Sequence, residues 1–229
     1  MKFIVLEGLD GAGKSTQVSL LTEYLNKQNI QTKFLHFPRT ESPYFGEMIA
    51  RFLRGDFGDI DNVNPYLVAM LYAGDRKDAS EEIISWIKED FVVIADRYVF
   101  SNIAYQCAKL KSQAEKDKLK NWIIEFEFGY YNLPKPDLNL FLDVPFLFTK
   151  NKLTQSRTGS ERDYLNGNSD IHEKNLDFQE QVRNEYLHLC EIESKFKRID
   201  CSDNNQNMAV PEEIFNRIKV ELEKHLKKV

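Results

Sequence analysis

Near the beginning of the chain, a glycine-rich segment has the residue types and the spacing that hold phosphate groups. Gly8-Leu9-Asp10-Gly11-Ala12-Gly13-Lys14-Ser15 fits the pattern G-x-x-x-x-G-K-[ST] without a mismatch. Its glycines let backbone N–H groups wrap around phosphate oxygens, and the dipole of a following helix adds partial positive charge. Lys14 is expected to reach the β- and γ-phosphates, and the Ser15 hydroxyl to bind Mg²⁺. The alternative is an ordinary glycine turn. The residues expected to bind the nucleotide are Gly8, Asp10, Gly11, Ala12, Gly13, Lys14, Ser15 and Thr16.

Arginines elsewhere in the chain indicate a second substrate that also carries phosphate. An apolar run ends in Asp96-Arg97. Asp96 is expected to bind the metal together with Ser15, and Arg97 puts a basic residue beside this carboxylate. Arg39 and Arg76 point the same way, although an arginine such as Arg76 within a helix is more often a solvated surface charge. The sequence contains no Asn-Lys-x-Asp motif, which argues against a GTPase.

A polar segment later in the chain allows two interpretations. Ser156-Arg157-Thr158-Gly159-Ser160-Glu161-Arg162-Asp163-Tyr164 lies between two helical patterns. It is either a solvated loop or part of a mobile lid, at about residues 156–170. Such a lid would close over the nucleotide and bring an arginine to the transferring phosphoryl group.

The elements that must position these residues alternate between strands and helices. Short apolar runs predict strands at about 2–7, 31–37, 91–95, 138–144 and 197–200. Helical spacing predicts helices at about 14–27, 44–53, 65–88, 146–154 and 175–195, one from residue 211, and one after Arg97 with Ser101 or Asn102 as its N-cap. The alternation predicts an α/β fold of the three-layer P-loop NTPase type, with a five-stranded parallel sheet flanked by helices. Ligands of such sheets lie beyond the carboxyl ends of the strands, so the candidate segments should meet at one edge.

Composition and charge narrow the possible partners and the location. The 229 residues carry a formal net charge of −5, which argues against nucleic acid and acidic membranes as partners. No repeat or linker interrupts the sequence, so a single domain over residues 1–229 is expected. The first apolar run is too short for a signal peptide, and no stretch approaches the ~18 apolar residues of a membrane span. The three cysteines are far apart and are expected to be reduced thiols, which favours a cytoplasmic protein.

Five segments together resemble the thymidylate kinase family over nearly the whole chain. They are the opening residues 3–16, Phe37-Pro38-Arg39, residues 71–76, residues 96–105 and residues 133–138. The resemblance implies a kinase that transfers the γ-phosphate of ATP to dTMP, with Mg²⁺ as cofactor, and a homodimer.

The same resemblance implies roles for residues of the acceptor site. Tyr72 would stack on thymine, Arg76 would donate to a base carbonyl, and Asn102 would hydrogen-bond the pyrimidine edge. Tyr105 would lie where a 2′-hydroxyl projects, and Asp10 would contact the sugar 3′-hydroxyl and help organise the metal site. Arginines 39 and 97 would hold the acceptor phosphate, and the Phe-Pro pair before Arg39 would border the methyl group of the base. The full set of expected acceptor-site residues is Asp10, Phe37, Pro38, Arg39, Tyr72, Arg76, Arg97, Ser101, Asn102 and Tyr105.

The catalytic arginine is expected to come from the lid. Some members of the family carry an arginine where this chain has Gly11, and others resemble this chain and supply it from the lid. Here that residue is Arg162 or, as the alternative, Arg157. With Lys14, Arg97 and Asp10, these two arginines are the candidate catalytic residues.

The acceptor and the chemistry leave alternatives. A phosphate monoester is already ionised at neutral pH, so no general base is expected, and the four histidines are expected to have surface or packing roles. The alternatives are a kinase for another acceptor, such as dUMP, dCMP or a nucleoside, and a nucleotide-binding protein without catalytic activity. The thymine methyl group is worth only ~1–3 kcal/mol in an apolar pocket, so exclusion of dUMP could be modest.

Overall fold

The computed structural model describes residues 1–60, 62–146, 148, 165, 170–172 and 175–226. Five parallel strands form one sheet in the order β2-β3-β1-β4-β5. They are β1 (Phe3–Gly8), β2 (Thr32–His36), β3 (Val92–Asp96), β4 (Leu138–Asp143) and β5 (Phe196–Asp200). Every strand end lies within one residue of its expected position. For the central strands β1, β3 and β4 the reason is that buried apolar runs between turn residues mark such strands clearly. The predicted fold class is confirmed.

The helices of the described residues cover both faces of this sheet. They are α1 (Lys14–Asn26), α2 (Phe45–Arg54), α3 (Pro65–Lys88), α4 (Val99–Cys107), α5 (Gln113–Ile124), a π-helix (Glu125–Tyr130), α6 (Leu176–Ile192) and α7 (Pro211–Leu226). None of them combines the length and the apolar character needed to cross a bilayer.

Side chains of neighbouring strand residues point to opposite faces and so build two cores. Phe3 and Val5 of β1 belong to the core that includes α2, α3, α4 and α6. Ile4 and Leu6 belong to the core that includes α1 and α7. All four are at most 1% exposed, as expected for a central strand that is covered on both sides.

Two expectations about helices were wrong or incomplete. Ser101 and Asn102 lie inside α4 and do not cap it. Instead, the carboxylate of Glu7, at the end of β1, accepts hydrogen bonds from the backbone N–H groups of Tyr98 (2.9 Å) and Ser101 (3.2 Å). The segment 113–130 was not assigned, yet it forms α5 and the π-helix. The expected helix at 146–154 lies mostly outside the described residues, and the single-domain organisation stays a prediction.

Candidate active site

The phosphate loop connects β1 to α1 at the carboxyl edge of the sheet. Gly11 and Gly13 have φ angles of 76° and 79°, a left-handed conformation that glycine adopts without strain. At Gly8 an added Cβ would lie 3.2 Å from the Cβ of Ala12, so a side chain there would crowd the loop itself. Lys14 is 7% exposed, and its Nζ donates to the carbonyl oxygen of Leu9 at 3.1 Å. The loop is therefore built by short-range sterics, as the motif predicts.

Asp96, the last residue of β3, provides an ionised carboxylate beside this loop. Its Oδ1 is 3.8 Å from Lys14 Nζ and accepts no hydrogen bond from the described residues, and its Oδ2 is 3.3 Å from Nδ1 of His36. Burial acts to raise the pKa of Asp96, but the charge of Lys14 and the hydrogen bond from His36 more than offset it and hold the pKa below its usual value. His36 was expected to have a surface or packing role, and this contact with Asp96 was not predicted.

This donor set fits a magnesium ion that is held jointly with nucleotide phosphates. Asp96 and Ser15 both line the cleft, and an ionised carboxylate and a hydroxyl are oxygen ligands of the kind that Mg²⁺ prefers. Among the described residues, no three acidic, histidine or cysteine side chains lie together as a metal-binding group. A metal at this position would therefore take its remaining ligands from phosphate oxygens and water, which is usual for Mg²⁺.

Arg97 connects the phosphate loop to α4. It has a φ of 67°, uncommon for a residue with a long side chain, and its N–H donates to the carbonyl oxygen of Leu6 at 2.8 Å. Its Nη2 donates to Asp10 Oδ1 (2.8 Å) and to the hydroxyl of Tyr105 (3.2 Å), and its Nη1 donates to Ser101 Oγ (3.1 Å). The Tyr105 hydroxyl donates in turn to Asp10 Oδ2 at 3.1 Å. Four of the predicted site residues thus form one hydrogen-bonded network.

The network sets the charge state of Asp10. Burial acts to raise the pKa of this carboxyl, but the charges of Arg97 and Lys14 more than offset it and hold the pKa well below its usual range. The Asp10 carboxylate is therefore ionised at neutral pH, where it can only accept hydrogen bonds.

Glu7 lies under the same network and is fully buried. Besides the two N–H groups at the start of α4, it accepts a hydrogen bond from the hydroxyl of Tyr186 at 2.9 Å. Burial raises the pKa of Glu7 to about 7, against the opposing charge of Arg97 and these hydrogen bonds. This carboxyl was not predicted, because a glutamate at the end of an apolar strand gives no signal of its distant partners.

Arg39, after the cis Phe37-Pro38 bond, is held by two aspartates of α3. Its Nε donates to Asp75 Oδ1 at 2.9 Å, and its Nη2 donates to the Asp75 carbonyl oxygen (2.9 Å) and to Asp78 Oδ2 (2.5 Å). Arg39 still lines the cleft, so its position agrees with a role in binding the acceptor phosphate.

The side chains expected to bind the base meet on one side of the cleft. Tyr72 and Arg76 lie one turn apart on α3, and Asn102 lies on α4. Arg76 is 1% exposed, so the alternative of a solvated surface charge is wrong for it. Its Nε and Nη2 donate to the two carboxylate oxygens of Glu127, at 2.6 and 2.7 Å. Glu127 belongs to the unassigned π-helix and was missed.

His172 is a further residue of the cleft that sequence reasoning did not assign. It is buried, its ring centroid lies 5.0 Å from that of Tyr105, and its Nε2 has no hydrogen-bond partner among the described residues. Burial, together with the charge of Lys109, lowers the pKa of His172 to about 3. The expected surface or packing role is therefore incomplete, because this neutral ring forms part of the wall of the site.

One cleft of about 1790 Å³ brings most of the predicted residues together. Those that line it are Asp10, Gly11, Lys14, Ser15, Phe37, Pro38, Arg39, Tyr72, Arg76, Asp96, Arg97, Ser101, Asn102 and Tyr105. Ala12, Gly13 and Thr16 line an adjoining cavity of about 560 Å³ that also contains Phe148 and Met208. The lid arginines Arg157 and Arg162 lie outside the described residues, as does the expected lid except for residues 165 and 170.

A parallel sheet whose carboxyl edge carries a phosphate loop and an adjoining arginine-lined cleft defines the class of P-loop phosphotransferases. Comparison with known proteins identifies the family. The sequence profile of the thymidylate kinase family matches residues 6–214, nearly the whole chain. The chain therefore belongs to the thymidylate kinase family, which confirms the expected enzyme class and phosphorylation of dTMP.

Individual relatives agree with this assignment. A probable thymidylate kinase of Thermococcus kodakarensis is 32% identical over 208 residues, which cover 88% of this chain and 90% of that protein. One of Pyrococcus abyssi is 30% identical over 225 residues, covering 97% and 96% of the two chains. The thymidylate kinase of Plasmodium falciparum is 34% identical, but the match spans 66% of this chain and 65% of that protein. The structure of the thymidylate kinase of Candida albicans has the same fold, with a TM-score of 0.69 at 23% identity over 98% of this chain and 92% of that one.

Proposed function

We propose that this chain transfers the γ-phosphoryl group of ATP to the 5′-phosphate of dTMP, with the donor in the phosphate loop and the acceptor in the arginine-lined part of the same cleft. The single observation that carries this arrangement is the Arg97 network. One guanidinium group contacts Asp10 of the phosphate loop and Ser101 and Tyr105 of α4, so it lies where the two phosphate positions must adjoin.

The reaction needs charge cancellation and alignment more than proton transfer. The attacking phosphate oxygen is already ionised, and two anionic groups must approach each other in line. Lys14 and Arg97 supply fixed positive charge, and both are nearly buried, where an ionic interaction is stronger than in water. A magnesium ion held by Ser15 and Asp96 supplies further charge neutralisation when it is bound with the nucleotide.

The proposed acceptor position assigns roles to the residues around Arg97. The resemblance to the family implies that Tyr105 lies where a 2′-hydroxyl would project and so favours deoxyribose. The hydrogen bond from its hydroxyl to the Asp10 carboxylate supports this role, because it fixes the position of the side chain. Tyr72 supplies the aromatic surface for the base. Arg39 and Arg97 supply the positive charge for the phosphate of the acceptor nucleotide. A lid arginine, Arg162 ahead of Arg157, completes the catalytic set, a role that rests on the sequence alone.

The oligomeric state and the location belong to the same proposal. Leu67 and Met70, one turn apart on α3, are 61% and 43% exposed, and such an apolar strip supports a homodimer. All three cysteines are free thiols, which supports a cytoplasmic protein. Light scattering during size-exclusion chromatography measures the mass in solution, and a mass of about 27 kDa, one 26.8 kDa chain, contradicts the dimer.

An assay of ADP release with a panel of nucleoside monophosphates tests the function. With ATP and Mg²⁺, dTMP is expected to give the highest kcat/KM, dUMP a lower value and dCMP the lowest. Faster turnover of dCMP than of dTMP would assign the chain to another acceptor. Binding of ATP without turnover of any acceptor would show a nucleotide-binding protein that has no catalytic activity.

A further inference from the structure

Glu127 is a fully buried carboxylate that lies behind the proposed base-binding side chains. It is in the π-helix, it is 0% exposed, and it is absent from the lining of the cleft. Both of its oxygens are used: Oε2 accepts from Arg76, and Oε1 accepts from Arg76 and from Asn102. A carboxylate in this position orients two residues of the site without touching the substrate itself.

The first of these residues is Arg76. Glu127 accepts two hydrogen bonds from its guanidinium group. Nε and Nη2 donate at 2.6 and 2.7 Å. This bidentate geometry fixes the plane of the guanidinium group and also pairs its charge with the carboxylate. Nη1 is not used by this carboxylate. Because burial alone would lower the pKa of Arg76 and the charge of Glu127 more than offsets it, the guanidinium stays protonated in the interior. Arg76 can therefore act toward the cleft only as a hydrogen-bond donor.

The second residue is Asn102, whose amide orientation Glu127 determines. Nδ2 donates to Glu127 Oε1 at 2.9 Å and to the carbonyl oxygen of Ala69 at 3.1 Å. A carboxylate and a carbonyl oxygen only accept hydrogen bonds, so turning the amide over would place its oxygen against two acceptors. Oδ1 is left buried without a partner among the described residues, and Asn102 lines the cleft. Of the Asn102 amide, only the acceptor Oδ1 is therefore left for a ligand of the cleft.

We infer that Glu127 sets the base selectivity of the acceptor site, an inference that rests on the proposed function. The edge of thymine or uracil has a donor at N3 and an acceptor at the C4 carbonyl, which matches the Asn102 oxygen and the Arg76 donor. The edge of cytosine has an acceptor at N3 and a donor at the C4 amino group, the reverse pattern. With Arg76 and Asn102 held in these orientations, cytosine would place its N3 acceptor against the Asn102 acceptor and its amino donor against the Arg76 donor. Leaving these buried polar groups without hydrogen bonds is costly.

Glu127→Gln is the sharpest test, because it keeps the shape of the side chain and removes its charge and one acceptor. Wherever the new amide nitrogen lies, it faces a donor of Arg76, so Arg76 loses a hydrogen bond. With the nitrogen in the Oε1 position, Asn102 loses its hydrogen bond to residue 127 as well. We expect the ratio of kcat/KM for dTMP to that for dCMP to fall at least ~10-fold, mainly through a higher KM for dTMP. The KM for ATP should not change, and Glu127→Asp, which keeps the charge, should restore part of the ratio.

Asp143→Asn is the matched control. Asp143 is also a buried carboxylate in a bidentate pair, with Arg183 at 2.6 and 3.0 Å, but it lines neither cavity. Its replacement should lower the melting temperature in the same way and leave the dTMP to dCMP ratio unchanged. A ratio that falls equally in both variants would overturn the inference, because it would reflect general loss of stability.

The outcomes separate this inference from the function on which it rests. If the unaltered chain does not phosphorylate dTMP, the proposed function fails. If it does, and Glu127→Gln keeps the original ratio, only the role of Glu127 fails. A crystal structure of the unaltered chain with dTMP is a second test that no folding defect can affect. The nitrogen of Asn102 facing N3 of thymine, or Glu127 turned away from Arg76, would overturn the inference.

Discussion

Replacement of His172 by phenylalanine should remove a pH-dependent loss of stability. The ring of His172 lies among three aromatic side chains, with centroid distances of 5.5 Å to Phe52, 5.0 Å to Tyr105 and 5.6 Å to Phe178. Phenylalanine keeps an aromatic ring in this environment but cannot bind a proton. The comparison of the two proteins across pH therefore isolates the proton of one residue.

The sign follows from the lowered pKa. Burial and the charge of Lys109 hold the pKa of His172 at about 3 in the folded protein, with Arg97 acting in the same direction and Asp10 opposing. An unfolded chain has a histidine pKa of about 6.5, so between pH 6.5 and pH 3 the unfolded state binds a proton that the folded state does not. The proton equilibrium of His172 therefore leaves the free energy of unfolding at its full value above pH 6.5 and lowers it as the pH falls below 6.5.

The magnitude is large enough to measure. With these pKa values, the free energy of unfolding of the unaltered protein should fall relative to His172→Phe by about 1 kcal/mol at pH 5.5 and by about 3 kcal/mol at pH 4.5, compared with pH 7.5. Urea unfolding at each pH measures this difference, and equal m-values in the two proteins show that the comparison is valid. His188→Gln, at a histidine whose side chain is 43% exposed, controls for the loss of a histidine as such.

A constant difference between the two proteins from pH 7.5 to pH 4.5 would refute this reasoning. It would mean that His172 takes up its proton in the folded protein as readily as in the unfolded chain. A charged imidazole beside Tyr105 would then lie close to the sugar position of the proposed acceptor. In that case the binding of dTMP should itself change with pH in this range.

Two further predictions concern catalysis and sugar selection. Arg162→Ala should lower kcat by a factor of ~10³ in the ADP-release assay, which is the low end of the effect of arginines that reach a transferring phosphoryl group. If only Arg157→Ala lowers kcat, the catalytic role belongs to Arg157. Tyr105→Phe removes a hydroxyl that donates to the ionised Asp10 and accepts from Arg97, so kcat/KM for dTMP should fall about 10-fold. Tyr105→Ala should in addition raise the use of ribonucleotides relative to deoxyribonucleotides, and a flat ratio would contradict the proposed sugar selection.

Local signals in the sequence predicted the sheet and the phosphate loop well. The strand β3 is five apolar or acidic residues between turn signals, and its end at Asp96 puts Arg97 at the carboxyl edge by topology alone. Gly11 and Gly13 require a left-handed backbone that few other residues tolerate, so their spacing is informative without any tertiary structure. Residues whose role depends on their immediate neighbours in the chain were therefore placed correctly.

Residues whose partners are distant in sequence were not found. The start of α4 was misplaced because the carboxylate that accepts its first backbone N–H groups belongs to Glu7, 91 residues from Tyr98. A search for a serine or asparagine close in sequence does not find such a partner. The segment that carries Glu127 was left unassigned, although an acid between two aromatic residues, Phe126-Glu127-Phe128, is a pattern that can indicate a buried partner. That partner, Arg76, is 51 residues away.

The described arginines of the site share one design, which would allow an acidic chain to bind two substrates that carry phosphate. Each is held by a carboxylate from another part of the chain: Arg39 by Asp75, Arg76 by Glu127 and Arg97 by Asp10. Unpaired buried guanidinium groups would repel one another and would be costly to desolvate. Pairing offsets that cost and fixes each side chain, so less conformational entropy is lost when a substrate binds. On the inference drawn for Glu127, base selectivity would reside in this carboxylate as much as in Arg76, because the carboxylate determines which donors remain directed at the ligand.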